Sequence, residues 1–564
     1  MLRSVAMFSL LVAVFAATVA RAETSQPVAL LPGVTLTRTV EFTPNGPVVL
    51  QVITAPRPGG LYQLAPVLGL QTITGGTEKV TQIEQSVSTL ATVAGISGDY
   101  FDATSGEPAG LVMEDGALER TPFGTRSAVG VDTAGTLHVD KVKLFGTWQG
   151  TGQRRPLNGV NETPAAGDTV LFTPVYGAPV PKVAGAAEAV LGSFPSAAPN
   201  VPLAAPVTAV GSGGGETIPP GGAVLMATGA AAAKLQAEAP VGATATARLT
   251  LQPAWTGVVS ALGGGPALVK NGKVIFRSNE QFTSAEITSR GPRAAVGQLA
   301  DGRILLVAVD GSQPGYSVGL TAFELAQAMQ QLGAVTASAL GSGPSVTAAF
   351  DGTLLNHPPG AQQRPAKEAL LVEYAGVYAP PLPVAVVTGD PGAQTEPLSY
   401  KLVRPSTVTA ELTGPDGTTD ALETAVQHDP GTYPLTAPPL AAEGTWHFTV
   451  TATDTQGNVS TIDRTFRYDT TLQGLAVPKS AAGRLTARFT LTRPAVVKVQ
   501  IETAGGIVVD TLPQASLAAG PQSTVWDGSL STGTRAYAGS FVVHLFVTSD
   551  SGTSDFAVPF RYAR

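Results

Sequence analysis

Residues that form turns recur along this chain far more often than is usual for a helical protein. The sequence contains 64 glycines and 45 prolines in 564 residues, while charged residues make up only 13%. Glycine and proline disfavour helix interiors and are typical of turns. Because 43% of the residues are hydrophobic, the chain can still bury substantial cores. This balance predicts many short strands joined by turns, rather than a helical bundle or a disordered chain.

The residue types that are missing also limit the chemistry. The chain has no cysteine, which excludes disulfides, thiolate nucleophiles and Cys-ligated metals. Its five histidines are scattered, and no His-x-x-x-His pair occurs, so we predict no His-based zinc site and no cofactor. His138 lies in a predicted strand, which favours an ordinary surface residue over a member of a Ser-His-Asp triad. The net charge of -7 predicts no nucleic-acid partner.

The N-terminus has the pattern of an export signal. Arg3 precedes an uncharged apolar run at residues 5–19, and a small-x-small site ends at Ala22. We therefore expect a signal peptide at residues 1–22, a mature chain that starts at Glu23, and a secreted protein, either extracellular or at the cell surface. An uncleaved membrane anchor is the alternative, but the run is short for a spanning helix of roughly 20 residues.

Two proline-rich breaks, at residues 378–397 and 468–478, divide the mature chain. We predict an α+β protein in which a β-rich mixed domain of catalytic type precedes two immunoglobulin-like β-sandwiches. The expected domain bounds are 28–378, 395–470 and 476–564.

Both C-terminal segments show strands with one buried face. Apolar and polar residues alternate before turns in each segment, with the apolar positions at Trp446, Phe448, Val450 and Ala452, and at Phe541, Val543, Leu545 and Val547. The last segment, through residues 525–528 and 538–541, resembles the immunoglobulin-like module found beside flagellar hook-capping proteins. Neither segment carries a chemical constellation, so both are candidates for spacers or for attachment to a cell surface.

The large domain mixes hairpins with a few helices. Strands at 294–299 and 304–309 flank Asp301-Gly302, a strong hairpin signal. Residues 321–332 form the best helix, with Thr321 and Glu324 as a capping box, which argues against a catalytic role for Glu324. A weaker helix is predicted at 230–239.

Four segments place glycines and short polar residues directly after strands, where backbone can approach a ligand. They are residues 95–101, 263–266, 292–293 with the hairpin that ends at 310–311, and 341–347. Each segment alone is more typical of a turn than of a phosphate site.

Taken together, the order and spacing of these segments resemble the phosphodiester glycosidase family over about residues 30–376. Residues 95–101 match the family's Gly-[Ile/Val]-Asn-Gly-Asp-[Phe/Tyr]-Phe except at Ser97, and residues 263–269 match Gly-Gly-Gly-Pro-x-Leu-Val in full. Further matches lie at 126–130, 292–297, 301–311, 316–334 and 369–372. The resemblance implies that the segments meet in one cleft.

One departure affects the expected chemistry most. The family signature Leu-Asp-Gly-Gly-Gly-Ser-[Ser/Thr]-Thr corresponds to residues 340–347, where Gly341 replaces the Asp and Pro344 replaces a Gly. Gly341 supplies no proton or charge, and Pro344 lacks an N–H donor. We therefore expect a stably folded protein with low or absent hydrolytic activity, and a partial gain when Asp is restored at 341 together with Gly at 344.

Cleavage of a sugar-1-phosphodiester requires an acid, a base and donors to the phosphate. We predict Asp99 and Asp310 as the catalytic carboxylates; the alternatives are a loop-capping role for Asp99 and a turn role for Asp310. Arg126 and Arg293 are predicted to bind phosphate, although pairing with structural carboxylates is the alternative for both. The full set of predicted substrate-binding residues is Ser97, Gly98, Arg126, Gly263, Gly264, Gly265, Arg293, Ser345 and Thr347, and no metal ligand is predicted.

Two functions follow, with a carbohydrate or sugar-phosphate ligand in both. The first is a secreted glycosidase that hydrolyses a sugar-1-phosphodiester in a cell-surface glycan or exopolysaccharide, with reduced activity. The second is a pseudoenzyme that binds glycan or a cell surface without turnover.

Overall fold

The computed structural model describes residues 22–276, 280–382, 386–388, 398–503 and 508–563. The predicted export segment therefore lies outside the described residues up to position 21. The described residues are mostly strand with few helices, which confirms the β-rich α+β class. None of their helices is long and apolar enough to cross a membrane.

The large domain is built around a nine-stranded antiparallel sheet. It contains the predicted hairpin, observed as Arg293–Leu299 paired with Ile304–Val309. Its strand order is Ala22–Thr24, Val34–Thr43, Gly46–Ala55, Ile304–Val309, Arg293–Leu299, Ala334–Ser342, Ala267–Lys270 and Lys273–Val274, and Val28–Leu31 pairs with Val34–Thr43.

Three further sheets complete this part of the chain. A five-stranded sheet runs in the order Thr353–Leu354, Ala348–Phe350, Thr92–Ser97, Glu368–Tyr374 and Tyr62–Leu68. A second five-stranded sheet runs in the order Leu137–Asp140, Ala128–Asp132, Val258–Gly263, Val112–Glu114 and Ala117–Arg120. An eight-stranded sheet runs in the order Arg155–Leu157, Lys143–Gln149, Thr244–Gln252, Pro202–Ser212, Ala187–Leu191, Ala223–Ala227, Thr169–Phe172 and Gly159–Val160.

Both predicted helices are present within one residue of their expected bounds. The helix Ala322–Gln331 has Thr321 as its N-cap and a complete capping box with Glu324, which confirms the structural role predicted for that glutamate. The other α-helices are Val80–Ser86, Gly229–Glu238 and Ser284–Thr288, and short 3-10 turns lie at Gly69–Gln71, Pro174–Tyr176 and Pro359–Ala361.

The C-terminal part contains two pairs of facing sheets. In the first pair, the order Val386–Val387, Val459–Tyr468, Gly444–Asp454, Ser406–Thr413 and Thr419–His428 faces the hairpin Leu398–Leu402 and Gly431–Leu435. In the second pair, the order Leu472–Ala476, Leu485–Leu491 and Gly520–Trp526 faces Ser480–Ala482, Gly552–Ala563, Gly539–Ser549, Ala495–Thr503 and Val508–Thr511, with Ala515–Leu517 paired to Ala495–Thr503. The predicted apolar faces of Gly444–Asp454 and Gly539–Ser549 are buried.

The hydrophobic core of the large domain continues into the first sandwich. One cluster of buried side chains joins Tyr374 and Tyr378 with Tyr400 and Phe448. In addition, the backbone N–H of Val377 donates to a serine hydroxyl of the first sandwich at 2.9 Å. The last sandwich has a separate core.

Because the core is shared, we predict that the position at which the chain is truncated affects its thermal stability. A chain that ends at 378 exposes side chains such as Tyr374 and Tyr378, because the partners from the first sandwich are lost. We expect its unfolding midpoint to lie about 5 °C or more below that of a chain that ends at 470, whose cluster is intact. Differential scanning calorimetry of the two chains checks this. Equal midpoints would show that residues 28–378 are independent of the sandwich, as the domain bounds predict.

Candidate active site

The turn after the strand Thr92–Ser97 joins two sheets. The N–H of Gly98 donates to the carbonyl of Glu368 at 2.8 Å, and the Gly98 carbonyl accepts from the N–H of Gly341 at 2.8 Å. Ser97 is buried, and its hydroxyl accepts from the N–H of Thr347 at 3.3 Å. The predicted segments at 95–101 and 341–347 therefore meet directly.

Asp99 extends from this turn into a glycine-lined space. The residue is 6% exposed, and its Oδ1 has no hydrogen-bond partner among the described residues. Its Oδ2 lies so close to two glycines that an added Cβ would stand 1.9 Å away at Gly263 and 2.6 Å away at Gly110. Burial raises the pKa of Asp99 to about 7, although the N–H of Tyr100 and the charge of Arg126 act in the opposite direction.

A second buried carboxylate, Glu368, lies beside Asp99 and was missed by the sequence analysis. The backbone N–H of Asp99 donates to Oε1 of Glu368 at 3.0 Å, and Oε2 has no partner among the described residues. Burial and then the nearby charge of Asp99 raise the pKa of Glu368 well above its usual range. The available signal was a Lys367-Glu368 pair directly before the apolar run at residues 369–372.

Arg126 lies in an aromatic cage. Its guanidinium carbon stands 4.2 Å from the ring centroid of Phe282, 5.2 Å from that of Phe123 and 5.4 Å from that of Tyr100. Nη2 donates to the carbonyl of Gln281 at 3.2 Å. Within the described residues Arg126 forms no salt bridge, so the cage rather than a structural carboxylate fixes this cation near Asp99.

Arg293 lies in a cleft of about 290 Å³. The residue is 6% exposed, Nε donates to the Leu320 carbonyl at 3.0 Å, and Nη2 donates to the Ser289 carbonyl at 2.7 Å. The hydroxyl of Tyr100 is a further hydrogen-bond partner. No carboxylate forms a salt bridge with Arg293 in the described part of the chain. The cleft is lined by Ala285, Glu286, Ser289, Arg290, Gly291, Pro292, Arg293, Ser312, Ser342, Gly343, Pro344 and Pro359.

Tyr100 connects the two halves of the site. Its hydroxyl is hydrogen-bonded to Ser342 as well as to Arg293. Because Asp99 precedes Tyr100 directly, the Asp99–Glu368 pair and the Arg293 cleft both adjoin this tyrosine.

The triple glycine serves close backbone packing. The N–H of Gly263 donates to the Leu111 carbonyl at 2.7 Å, and that of Gly265 donates to the Ala339 carbonyl at 2.8 Å. A Cβ at Gly264 would stand 2.8 Å from the same Ala339 carbonyl. Since two of the three amides are already bonded to backbone, the structure supports a packing role more than the predicted phosphate cradle.

Asp310 is surrounded by donors. Its carboxylate accepts from the Tyr316 hydroxyl at 3.0 Å, from Nδ2 of Asn356 at 2.9 Å and from the N–H of His357 at 3.1 Å. Asn356 in turn donates to the Val346 carbonyl at 3.3 Å. Burial raises the pKa of Asp310, although these hydrogen bonds oppose the shift. The bonding pattern fits a residue that holds the 341–347 loop.

The rest of that loop carries two hydroxyls and the altered signature. Thr347 is fully buried, and its hydroxyl donates to the Ser345 carbonyl at 3.1 Å, while Ser345 itself is partly exposed. A Cβ at Gly341 would stand 2.9 Å from the Gly98 carbonyl oxygen and 3.1 Å from that of Asp99. The expected gain from Asp at 341 is therefore opposed by the structure, because any side chain there displaces the turn that carries Asp99.

Two segments of the chain match known protein families. Residues 197–373 match the phosphodiester glycosidase family, and residues 475–551 match the FlgD Ig-like domain. Residues 197–373 therefore resemble a phosphodiester glycosidase domain. The matched range contains the triple glycine, Arg293, Asp310 and Glu368, but it begins after the segment with Asp99.

Two solved structures resemble this chain, and the first of them supports the fold. A crystal structure of a hypothetical protein from Synechocystis has a TM-score of 0.53 and 23% identity, and the alignment covers 62% of this chain and 63% of that one. The zebrafish N-acetylglucosamine-1-phosphodiester alpha-N-acetylglucosaminidase catalytic domain, auto-inhibited by its pro-peptide, has a TM-score of only 0.34 at 15% identity, over 63% of this chain and 89% of that one.

Among curated proteins, the SPbeta prophage-derived uncharacterized protein YomE of Bacillus subtilis strain 168 is 29% identical over 118 residues, which are 21% of this chain and 18% of that protein. The chain thus covers less than two thirds of both the Synechocystis protein and YomE.

Within the described residues, no group of three or more His, Asp or Glu side chains could hold a metal ion.

Proposed function

We propose that the phosphodiester glycosidase domain hydrolyses a sugar-1-phosphodiester of a cell-surface glycan or exopolysaccharide outside the cell. The observation that carries this proposal is Arg293, a buried guanidinium that forms no salt bridge with a described residue and lines a cleft of about 290 Å³. A buried cation is stabilised by an anion, and a guanidinium fits phosphate oxygens in pairs. The family supports hydrolysis at the level of reaction class.

The reaction needs one proton for the leaving phosphate. Water attacks the anomeric carbon, the bond from that carbon to the bridging oxygen breaks, and the phosphate leaves with the bridging oxygen. Asp99 is suited to donate the proton to that oxygen, because burial keeps much of its carboxyl protonated at neutral pH. The proton that the attacking water loses restores the acid, so the net reaction consumes one water.

A second candidate is a glycan-binding protein without turnover. Two observations favour it: position 341 has no room for a carboxylate, and Asp310 is already occupied by three donors. Arg293 would serve binding equally well.

Hydrolysis of a methyl diester of a sugar-1-phosphate in ¹⁸O-labelled water separates the two candidates. A glycosidase releases the free sugar with ¹⁸O at the anomeric carbon and leaves methyl phosphate unlabelled. Calorimetry with the same diester measures binding. Label in the sugar supports the enzyme, and binding without release of the sugar supports the second candidate. The absence of both hydrolysis and binding would contradict both candidates.

Export is part of this proposal and has its own test. If the signal peptide at residues 1–22 is removed, N-terminal sequencing of protein from the medium or cell surface begins at Glu23. We expect that sequence for most of the exported protein. Protein that retains Met1 in a membrane fraction would instead identify an anchor. The two sandwiches are proposed to attach the exported enzyme to the cell surface.

A further inference from the structure

We propose that the carboxylates of Glu188 and Glu216 bind one calcium ion beside the eight-stranded sheet. Glu188 belongs to the strand Ala187–Leu191 of that sheet, and Glu216 follows the glycine-rich turn at residues 213–215. Neither glutamate lines the cleft that contains Arg293. The inference therefore does not depend on whether the domain hydrolyses a phosphodiester.

Glu188 is a buried carboxylate whose oxygens lack partners. The residue is 1% exposed, and neither Oε1 nor Oε2 has a hydrogen-bond partner among the described residues. No other carboxylate in the described part of the chain leaves both of its oxygens buried and unpartnered. Because an isolated buried charge is costly, such a group must either take up a proton or meet a cation.

A second carboxylate faces the same space as Glu188. Glu188 pairs with Gly211 across the sheet, and an added Cβ at Gly211 would stand 2.9 Å from Oε2 of Glu188 and 2.6 Å from Oε1 of Glu216. The two oxygens therefore lie no farther apart than the sum of these distances. Calcium binds oxygen atoms at about 2.3–2.6 Å, so an ion in the space that the glycine leaves open can contact both carboxylates.

Backbone hydrogen bonds fix the turn that carries Glu216. The Glu216 carbonyl accepts from the N–H of Val180 at 3.0 Å, and the N–H of Gly215 donates to the Val180 carbonyl at 3.1 Å. The N–H of Val183 donates to the carbonyl of Gly213 at 3.0 Å. The main chain of the turn is thus held against residues 180–183, which keeps the Glu216 carboxylate beside Glu188.

No cation of the described residues forms a salt bridge with Glu188 or Glu216. Lys182 lies against the turn, with its Cε 3.2 Å from the position of a Cβ at Gly215, but it pairs with neither carboxylate. Burial and then the charge of Glu216 raise the pKa of Glu188; the N–H of Gly214 opposes the shift, although it lies outside normal hydrogen-bond geometry. A divalent cation between the two carboxylates removes this repulsion.

The chemistry of the site favours calcium over magnesium. Both oxygens of Glu188 are free, so this carboxylate can bind an ion through two oxygens, as carboxylates often do with calcium. Magnesium usually keeps several of its water molecules, and a residue that is 1% exposed leaves little room for them. No third His, Asp or Glu joins the pair within the described residues, so backbone carbonyls and water are the remaining ligands.

Calcium binding to the full-length protein tests the site. After treatment with a chelator, calorimetric titration with calcium chloride at neutral pH should show one ion bound per chain, with a Kd of about 10⁻⁴–10⁻³ M. This binding should weaken at least about tenfold in Glu188→Gln and in Glu216→Gln, because each variant loses a charged ligand. Magnesium chloride should bind at least about tenfold more weakly than calcium.

Two further variants serve as controls. Glu84→Gln removes another buried carboxylate with an unpartnered oxygen, in the helix Val80–Ser86, and should leave calcium binding unchanged. Gly211→Ala keeps both carboxylates but places a methyl group in the space between their oxygens, so it should abolish the binding.

Four results would overturn the inference: no calcium binding up to about 10 mM, binding that persists in both glutamine variants, equal loss in Glu84→Gln, or magnesium binding as tight as that of calcium. A Glu188 side chain that holds a proton instead of an ion gives the first of these results. If Glu188→Gln does not fold, Glu216→Gln decides, because Glu216 is only partly buried. Calcium binding without hydrolysis of the diester would leave this inference intact and contradict only the proposed enzyme.

Discussion

Arg293→Met is expected to lower kcat/KM for a sugar-1-phosphodiester by roughly 100- to 1,000-fold, the usual cost of losing one charge-stabilising donor. Arg293 is the buried cation that lines the 290 Å³ cleft without a salt bridge to a described residue. Arg293→Lys keeps the charge but offers no planar pair of donors, so it should recover only part of the loss. Steady-state kinetics and calorimetric binding of the diester measure both variants.

The control for this prediction is Arg303→Met. Arg303 belongs to the same hairpin, but its side chain is 52% exposed and pairs with Asp301 in solvent, so its removal should change neither binding nor turnover. Methionine at 293 removes the side-chain donor to the Ser289 carbonyl and one of the two donors to the Leu320 carbonyl, so folding must be checked by calorimetry. Folded Arg293→Met protein within tenfold of wild-type activity would remove Arg293 from the site and with it the main support for the proposed function.

Local features of this fold could be predicted because short-range rules determine them. The capping box of Thr321 and Glu324 fixes the start of its helix within four residues. Alternation of buried and exposed side chains in Gly444–Asp454 requires only that one face is covered. Neither inference depends on which distant segment packs against the element.

The site could be predicted only where family resemblance supplied the long-range information. The contact between Gly98 and Gly341 joins positions more than 240 residues apart, and no local pattern indicates it. The pairing of Asp99 with Glu368 escaped prediction for the same reason, since the two residues meet only after Thr92–Ser97 and Glu368–Tyr374 pair.

Roles within the site were harder to predict than its location. Asp310 has the sequence context of a hairpin end, and the donors to its carboxylate from Asn356 and His357 become apparent only when those residues are placed. Position 341 looked like a lost acid in the sequence, yet the backbone of Gly98 and Asp99 occupies the space that a side chain would need. Both cases depend on non-bonded contacts between 2.9 and 3.1 Å, which composition and spacing do not contain.

Gly263→Ala is expected to lower the free energy of unfolding by about 3 kcal/mol or more, at the upper end of the range for overpacking a core. The new methyl would stand 1.9 Å from Oδ2 of Asp99 and 2.9 Å from the Cα of Gly110. Asp99 cannot retreat easily, because its backbone N–H is bonded to Glu368 on the other side of the turn. Calorimetry of the full-length protein measures the loss.

Two further variants identify which contact causes the loss of stability in Gly263→Ala. Gly291→Ala is the matched control, since its methyl would meet no atom closer than Oγ of Ser312 at 3.7 Å; it should cost less than about 1 kcal/mol. In the double variant Asp99→Ala with Gly263→Ala, the clashing carboxylate is absent, so the two losses should not add. Additive losses would show that the clash with Gly110, rather than the clash with Asp99, lowers the stability of Gly263→Ala. The glycine at 263 would then serve strand packing instead of making room for the acid.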